Sequence, residues 1–345
     1  MAKRLLRETG ALLRDLLFRY RIPIFFFGTG LIVYYLFSQI SLQSFTTVLT
    51  HADWRLVPVI VLLILLMLAV KALRWRYLLM GIKPCAYSEL YHATVIGHVM
   101  NLLLPINIGE FIRGHYLSQR ADIALSSVYG NIVLEKVLDG VFLVLLMGIA
   151  IWLFPQARQG PYLIGIIVLT VVLLALGLLL SLLRSRQQTM ERIVFRALSY
   201  VMPASALEKL KNGVQGFFEG QKIGKGQFLA IFLLSVLMRV FSILAAWVSG
   251  LAFGINIGLL PFLFVDLLSG LAASAGHVVG IAGAFEAAAV LGLSLFGVAA
   301  EPALSMAILQ TATYGIALVL IGLHLWIVRR QVIIDYLSSW KKLFG

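Results

Sequence analysis

Charged side chains within long apolar stretches are the residues of this sequence that could do chemistry. Of the 345 residues, 61% are hydrophobic and 12% are charged, whereas a soluble domain carries about 25% charged residues. At the centre of an isolated membrane helix a charge costs at least about 2.5–3.5 kcal/mol, so such a residue usually faces a wet cavity or a partner. The candidates are Glu110, Arg113, Glu135, Lys136, Asp139, Arg239, Asp266 and Glu286.

Two pairs of these charges share a helix face. Glu135 and Asp139 are four residues apart, and Glu110 and Arg113 are three apart, which are the spacings of neighbours on a helix surface. Lys136 points about 100° away from Glu135, and we expect it to be the counter-ion of another group. The two carboxylates could bind a cationic headgroup or relay protons. The alternative is an interfacial role near a helix N-terminus, where the dipole favours carboxylates.

Glu110 and Glu286 each follow a glycine-containing break and open a short helix. The helix dipole stabilises such a carboxylate by about 0.3–1 kcal/mol. That gain is smaller than the cost of burying the charge, so we interpret both residues as functional. His98 and His277 occupy similar places before these breaks. Either could titrate near neutral pH, but we favour a structural hydrogen bond to broken backbone for both.

The elements that must position these charges are membrane helices. A span needs about 20 apolar residues, and six stretches are long enough. They are residues 22–40, 56–80, 127–153, 162–183, 227–253 and 303–328. Two further apolar segments, 87–120 and 259–299, are broken near 105–109 and 276–283. We predict that each is a re-entrant helical hairpin, because broken backbone at membrane depth must be buried in protein or line a cavity.

The distribution of basic residues supports this layout. With the N-terminus in the cytoplasm and both broken segments as hairpins, cytoplasmic segments hold 23 of the 28 Lys and Arg residues. The outer loops then hold only Arg55 and Arg158, as the positive-inside rule requires. We therefore expect both termini in the cytoplasm and the protein in the inner (plasma) membrane. The net charge of +13 reflects these topology signals rather than nucleic-acid binding.

The sequence predicts an all-α polytopic protein with six transmembrane helices and two re-entrant hairpins arranged as an inverted repeat. The predicted parts are a basic amphipathic helix (1–21), a first membrane half (22–183), a cytoplasmic amphipathic linker (184–226), a second membrane half (227–330) and a cytoplasmic tail (331–345). Gly97-His98-Val99 in the first hairpin is echoed by Gly276-His277-Val278 in the second. Inverted repeats with broken helices are typical of secondary transporters.

Four sequence elements resemble a known family. They are Asn101-Leu-Leu-Leu-Pro105-Ile-Asn-Ile-Gly109-Glu110-Phe-Ile-Arg113, Ala72-Leu-Arg74-Trp75-Arg76, Glu135-Lys136-Val-Leu-Asp139 and Gly283-Ala-Phe-Glu286. In order and spacing they resemble the transmembrane domain of lysylphosphatidylglycerol synthase/flippases and its stand-alone relatives. The aminoacyl-transferase domain of the bifunctional members does not follow in this sequence. The resemblance therefore implies lipid translocation without headgroup aminoacylation.

The function we expect is that of a lipid flippase. Glu110, Glu135, Asp139 and Glu286 would receive a cationic part of a headgroup, while Arg113 and Arg239 would engage its phosphate. Asn101, His98, His277 and Asp266 complete the expected substrate-binding set. Acidic residues outnumber basic ones at membrane depth by five to three when Lys71 is counted and Arg113 is not, which favours a zwitterionic or cationic headgroup.

Rival functions stay open at this point. One rival is a carrier for a polyprenyl-phosphate-linked sugar or a hopanoid-type lipid, and another is an accessory subunit of a lipid-modifying enzyme. An integral-membrane transferase is the third, although known phosphate-binding, zinc and nucleophile motifs are absent from the sequence. We expect no cofactor, no metal site and no nucleic-acid partner. The expected partners are membrane lipids, with a second copy of the chain and a separate lipid-modifying enzyme left open.

Overall fold

The computed structural model describes residues 41–103, 108–158, 204–279 and 282–344, together with isolated positions from 30 to 38 and Val171. Throughout these residues the regular secondary structure is helical, so the predicted all-α class is confirmed. The predicted basic helix at 1–21 and the first part of the predicted linker lie outside the described residues.

The helices are numbered in chain order where the structure gives their bounds. They are α1 (Leu42–Thr50), α2 (Val57–Leu79), α3 (Tyr87–Leu103), α4 (Gly109–Ala121), α5 (Leu125–Leu153), α6 (Ala204–Glu219), α7 (Lys225–Ala252), α8 (Leu260–Val279), α9 (Ala284–Ser294) and α10 (Ala300–Phe344). Short 3-10 helices precede α2 and follow α5. Helix α10 continues without a break through most of the predicted cytoplasmic tail.

Four helical segments are long and apolar enough to cross a membrane. They are Trp54–Leu79, Leu125–Leu153, Gly226–Ala252 and Ala300–Ile327. The sequence predicts the ends of each to within three residues, because an unbroken apolar stretch of this length is typical of a membrane-spanning helix. The chain is thus a multi-pass membrane protein. The predicted spans at 22–40 and 162–183 lie largely outside the described residues, so the six-span count stays a prediction.

The segment predicted to be the first hairpin is a pair of packed helices, α3 and α4. They are antiparallel, since Asn101 lies against Gly109 and Gly97 lies against Arg113. Glycine is required where the two backbones meet. A Cβ atom at Gly97 would lie 3.0 Å from the carbonyl oxygen of Gly109, and a Cβ atom at Gly109 would overlap the carbonyl oxygen of Gly97. The predicted break at Pro105 lies outside the described residues.

The segment predicted to be the second hairpin is formed by α8 and α9, which also pack against each other. Helix α9 begins directly after Gly283, whose φ of 86° lies in the left-handed region that favours glycine. Phe262 and Val265 of α8 and Leu293 of α9 are part of one apolar core. The re-entrant path of both hairpins and the inverted repeat stay predictions.

The chain folds into two compact units. Of the described residues, one unit contains those within 41–60 and 243–314, and the other contains those within 61–103, 108–242 and 315–344. The second unit contains α3 to α6, and α6 packs on α5 within it. The predicted division into two membrane halves with a linker stays a prediction.

Candidate functional site

Seven charged residues of the second unit converge from three helices. We call them the charged hub. They are Lys71 and Arg74 of α2, Glu110 and Arg113 of α4, and Glu135, Lys136 and Asp139 of α5. Within each helix the hub residues are spaced so that they share one face or neighbouring faces. Helix α4 packs against both α3 and α5, and side-chain bonds of Arg74 join α2 to the same place.

Glu135 is the centre of the hub. Its Oε1 accepts a hydrogen bond from Arg74 Nη2 at 3.0 Å, and its Oε2 accepts one from Arg113 Nη2 at 2.7 Å. The Glu135 side chain is 0% exposed, and the two arginine side chains are 2–3% exposed. The carboxylate thus bridges two guanidinium groups that would otherwise repel each other inside the protein.

The hub extends from this centre in two directions. On one side Arg74 Nη1 donates to Asp139 Oδ1 at 2.5 Å. On the other side Arg113 Nε donates to Glu110, whose second oxygen accepts from Lys136 Nζ at 2.7 Å. The result is a chain of alternating charge whose ends reach the surface of the unit, since Asp139 is 39% and Lys136 is 49% exposed. Lys136, which the helical angle turns away from Glu135, thus pairs with Glu110.

The indole ring of Trp75 packs against the guanidinium group of Arg113. Arg113 Cζ lies 4.4 Å from the centre of the indole ring, a cation–π geometry. The indole Nε1 donates to Asn131 Oδ1 at 3.1 Å, and Asn131 Nδ2 donates to the carbonyl oxygens of Leu78 at 2.8 Å and Gly220 at 3.1 Å. Trp75 and Asn131 are both fully buried, so this connection ties the hub to the end of α6.

A small cavity of about 110 Å³ opens beside the hub. Its lining residues come from α2, α5 and α7 and are Met67, Arg74, Asp139, Phe142, Ser235, Met238, Arg239 and Ser242. Asp139 is the central residue of α5, and Arg239 lies at the centre of α7. Both charges are therefore near the middle of helices that are long enough to span a membrane.

Two further predicted site residues lie on α3. His98 Nε2 is 3.0 Å from Lys71 Nζ. Asn101 Oδ1 accepts a hydrogen bond from the backbone N–H of Gly109 at 2.6 Å. Asn101 thereby satisfies one of the backbone donors that the start of α4 leaves without an intrahelical partner, a role that fixes the helix carrying Glu110 and Arg113.

The family description of the lysylphosphatidylglycerol synthase transmembrane region matches residues 22–322. The chain belongs to this family. Among curated proteins and among solved structures none matches the chain significantly.

Three of the four elements that carry the resemblance to the lysylphosphatidylglycerol synthase transmembrane family meet in the hub. Arg74-Trp75 supplies a bridging guanidinium and the indole beneath Arg113. The Asn101-to-Arg113 element supplies the cap of α4 and the pair at its start. The Glu135-to-Asp139 element supplies the central carboxylate and the exposed acidic end.

The fourth family element and the other predicted site residues belong to the first unit. Glu286, in the first turn of α9, accepts a hydrogen bond from the Thr311 hydroxyl at 2.7 Å. Asp266 of α8 is buried. The side chain of His277 lies outside the described part of the structure. Within the described residues no group of three His, Cys, Asp or Glu side chains is placed to hold a metal ion.

Proposed function

We propose that the protein is a lipid translocase that moves a lipid with a polar headgroup between the leaflets of the inner membrane. The charged hub is the observation that carries this proposal. Replacing a buried ion pair by apolar residues of similar volume is often neutral or stabilising, so stability alone does not account for the hub. Charged residues in membrane helices typically mark a path for substrates or ions. Membership in the family supports a membrane lipid as the substrate class.

The cavity beside the hub suits a zwitterionic or cationic headgroup. Asp139, which is 39% exposed, would receive an ammonium group, and Arg239, which lines the same cavity, would hold a phosphate. A drug-sized ligand occupies a pocket of about 300–1,000 Å³, so a cavity of about 110 Å³ would take part of a headgroup and leave the acyl chains outside. The proposal assigns no catalytic step to this chain.

The orientation of the proposed translocase follows the positive-inside rule, with both termini in the cytoplasm. Residue 120, at the end of α4, and residue 187 would then both face the cytoplasm. Cysteines introduced as Arg120→Cys and Gln187→Cys should react with a membrane-impermeant maleimide only from the cytoplasmic side. Reaction of either from the outside would contradict this orientation.

The direct test is a leaflet-resolved assay in liposomes that carry a fluorescent phosphatidylethanolamine. Asp139→Asn removes the exposed acidic end of the hub. A hydrogen bond to a charged group is worth about 1.5–3 kcal/mol, so we expect the rate of transport to fall about tenfold or more.

Asp122→Asn is the matched control for this assay. The substitution is chemically the same as Asp139→Asn but lies at an exposed position. The φ of Asp122 is 49°, a conformation that asparagine tolerates. Its rate should stay within about twofold of the wild-type rate. Equal rates for Asp139→Asn and the wild type would reject the headgroup site. No transport of any phospholipid by the wild type would reject the translocase and favour an accessory subunit.

A further inference from the structure

The charges of the hub do not balance. Lys71, Arg74, Arg113 and Lys136 are cations, whereas Glu110, Glu135 and Asp139 are the only carboxylates of the hub. Three of the four cations form ion pairs with these carboxylates. Lys71 is the exception, because no carboxylate of the described residues lies within ion-pair distance of it. The surplus positive charge of the hub is therefore located at Lys71.

The partner of Lys71 does not neutralise it. Among the described residues its hydrogen bond is to His98 Nε2, at 3.0 Å. A lysine ammonium only donates hydrogen bonds, so Nε2 must be the acceptor and the imidazole must be in its neutral form. The ammonium has three N–H donors, and this bond uses one of them. Lys71 thus combines a net charge with two N–H donors that this bond does not use.

Lys71 is not among the residues that line the cavity, but it lies on α2 between two of them. Met67 and Arg74, which line the cavity, are four and three residues away from it on the same helix, so the three side chains project from one side of α2. Lys136, half-exposed, is a close electrostatic neighbour of Lys71. The nearby Glu110 is already paired with Arg113 and Lys136 and would not exclude an anion.

We propose that Lys71 is a second anchoring point for the headgroup, one that binds the phosphodiester of the lipid in addition to the contact proposed for Arg239. A phosphodiester carries one negative charge and accepts hydrogen bonds, which matches both the surplus charge and the donors of Lys71. An unpaired charge in a membrane span is unfavourable, so the empty site is less stable than the occupied one. The inference rests on the proposed function, because it names a binding residue for the same substrate.

The test compares thermal unfolding of the full chain in neutral detergent with and without dihexanoylphosphatidylethanolamine. A ligand that binds only the folded state raises the melting temperature. We expect a rise for the wild type and for Lys71→Arg, and none for Lys71→Gln. Without lipid, Lys71→Gln should melt above the wild type, because it removes the surplus charge. Lys211→Gln, which removes an exposed lysine of α6, is the charge-matched control and should behave like the wild type.

Two additives identify the source of the phosphate. Dihexanoylglycerol, which lacks the phosphodiester, and inorganic phosphate, which lacks the acyl chains, should leave the melting temperature unchanged. A Lys71-dependent rise with inorganic phosphate alone would reject the lipid as the ligand. A rise of wild-type size in Lys71→Gln, or failure of that variant to fold while Lys211→Gln folds, would reject the site and make Lys71 a structural cation.

The failure of this inference is distinguishable from failure of the proposed function, since the melting assay requires no transport. A Lys71-dependent rise in a protein that moves no lipid in liposomes would reject the translocase and leave the binding site standing. If Lys71→Gln transported lipid normally and its melting temperature rose with lipid as much as that of the wild type, the Lys71 site would be rejected. The translocase would not be.

Discussion

The two helix pairs α3–α4 and α8–α9 share a sequence pattern, a glycine followed by a glutamate at the start of the second helix. They differ in the side chains that contact this glutamate. In both, a glutamate lies in the first turn of the second helix, directly or closely after a glycine. Glu110 is held by two cations, Arg113 and Lys136. Glu286 accepts one hydrogen bond from the hydroxyl of Thr311, and no cation of the described residues forms an ion pair with it.

This difference shows that the signal predicts the position of a carboxylate and not its electrostatic role. A carboxylate between two cations is fixed, because losing its charge would remove a counter-ion from both of them. A carboxylate with a single hydroxyl partner can change its ligand at much lower cost. We therefore expect substitutions in the first pair and its hub to affect stability, and the equivalent substitution in the second pair to affect it little.

The largest effect is expected for Glu135→Gln, at the centre of the hub. The substitution keeps the size of the side chain but leaves Arg74 and Arg113 without the charge between them. Removing one partner of a buried ion pair costs about 3–5 kcal/mol, so the melting temperature should fall strongly.

Cys85 provides the measurement for this prediction. It is the single cysteine of the sequence, it is buried, and burial raises the pKa of its thiol. A thiol-reactive dye should therefore react with it only on unfolding. Glu219→Gln, at the exposed end of α6, is the control. A melting temperature of Glu135→Gln equal to that of the control would show that the hub is not a connected charge network.

An intermediate effect is expected for Glu110→Gln. The substitution removes the charge that Arg113 and Lys136 share, and a hydrogen bond to a charged group contributes about 1.5–3 kcal/mol. The loss should be smaller than for Glu135→Gln, because Arg113 keeps its bond to Glu135 and Glu110 is 18% exposed. Unfolding followed through Cys85 gives the comparison. If Glu110→Gln were as stable as the wild type, the charge of Glu110 would contribute no more to stability than that expected for Glu286.

The smallest effect is expected for Glu286→Gln. The amide oxygen of glutamine can still accept a hydrogen bond from Thr311, and interhelical hydrogen bonds in membrane proteins contribute about 0.6 kcal/mol on average. The melting temperature should therefore remain close to that of the wild type in the same assay. A loss as large as that of Glu110→Gln would reveal a cationic partner beyond the described residues and would end the contrast between the two pairs.

Helix-level features could be predicted from the sequence because they depend on local composition and spacing. The four described spans follow from apolar length. That Glu110 and Arg113 are neighbours on one helix face, and that Lys136 needs a partner other than Glu135, follows from helical angles alone. These predictions required no knowledge of which helices are neighbours.

The core of the candidate site could not be predicted because it depends on which helices pack together. Arg74 is counted with the cytoplasmic residues when the sequence is divided into spans, whereas the structure places it between Glu135 and Asp139. The predicted excess of acidic residues at depth leaves out Arg74 and Arg113. The hub contains both, and its four cations outnumber its three carboxylates. Trp75 and Asn131 provide only a weak signal in the sequence, namely an aromatic and an amide within apolar surroundings, and their contact joins helices far apart in sequence.

The close contact between Gly97 and Gly109 has a consequence for motion. If α3 slid along α4 by one helical turn, Ala93 or Asn101 would take the place of Gly97 beside Gly109, where a Cβ atom would lie only 3.0 Å from the carbonyl oxygen of Gly109. The same slip would break the hydrogen bond from Gly109 to Asn101. We therefore expect α3 and α4 to resist sliding along each other and to move together. If the protein is the proposed translocase, its rearrangement would occur where this pair of helices meets the neighbouring helices.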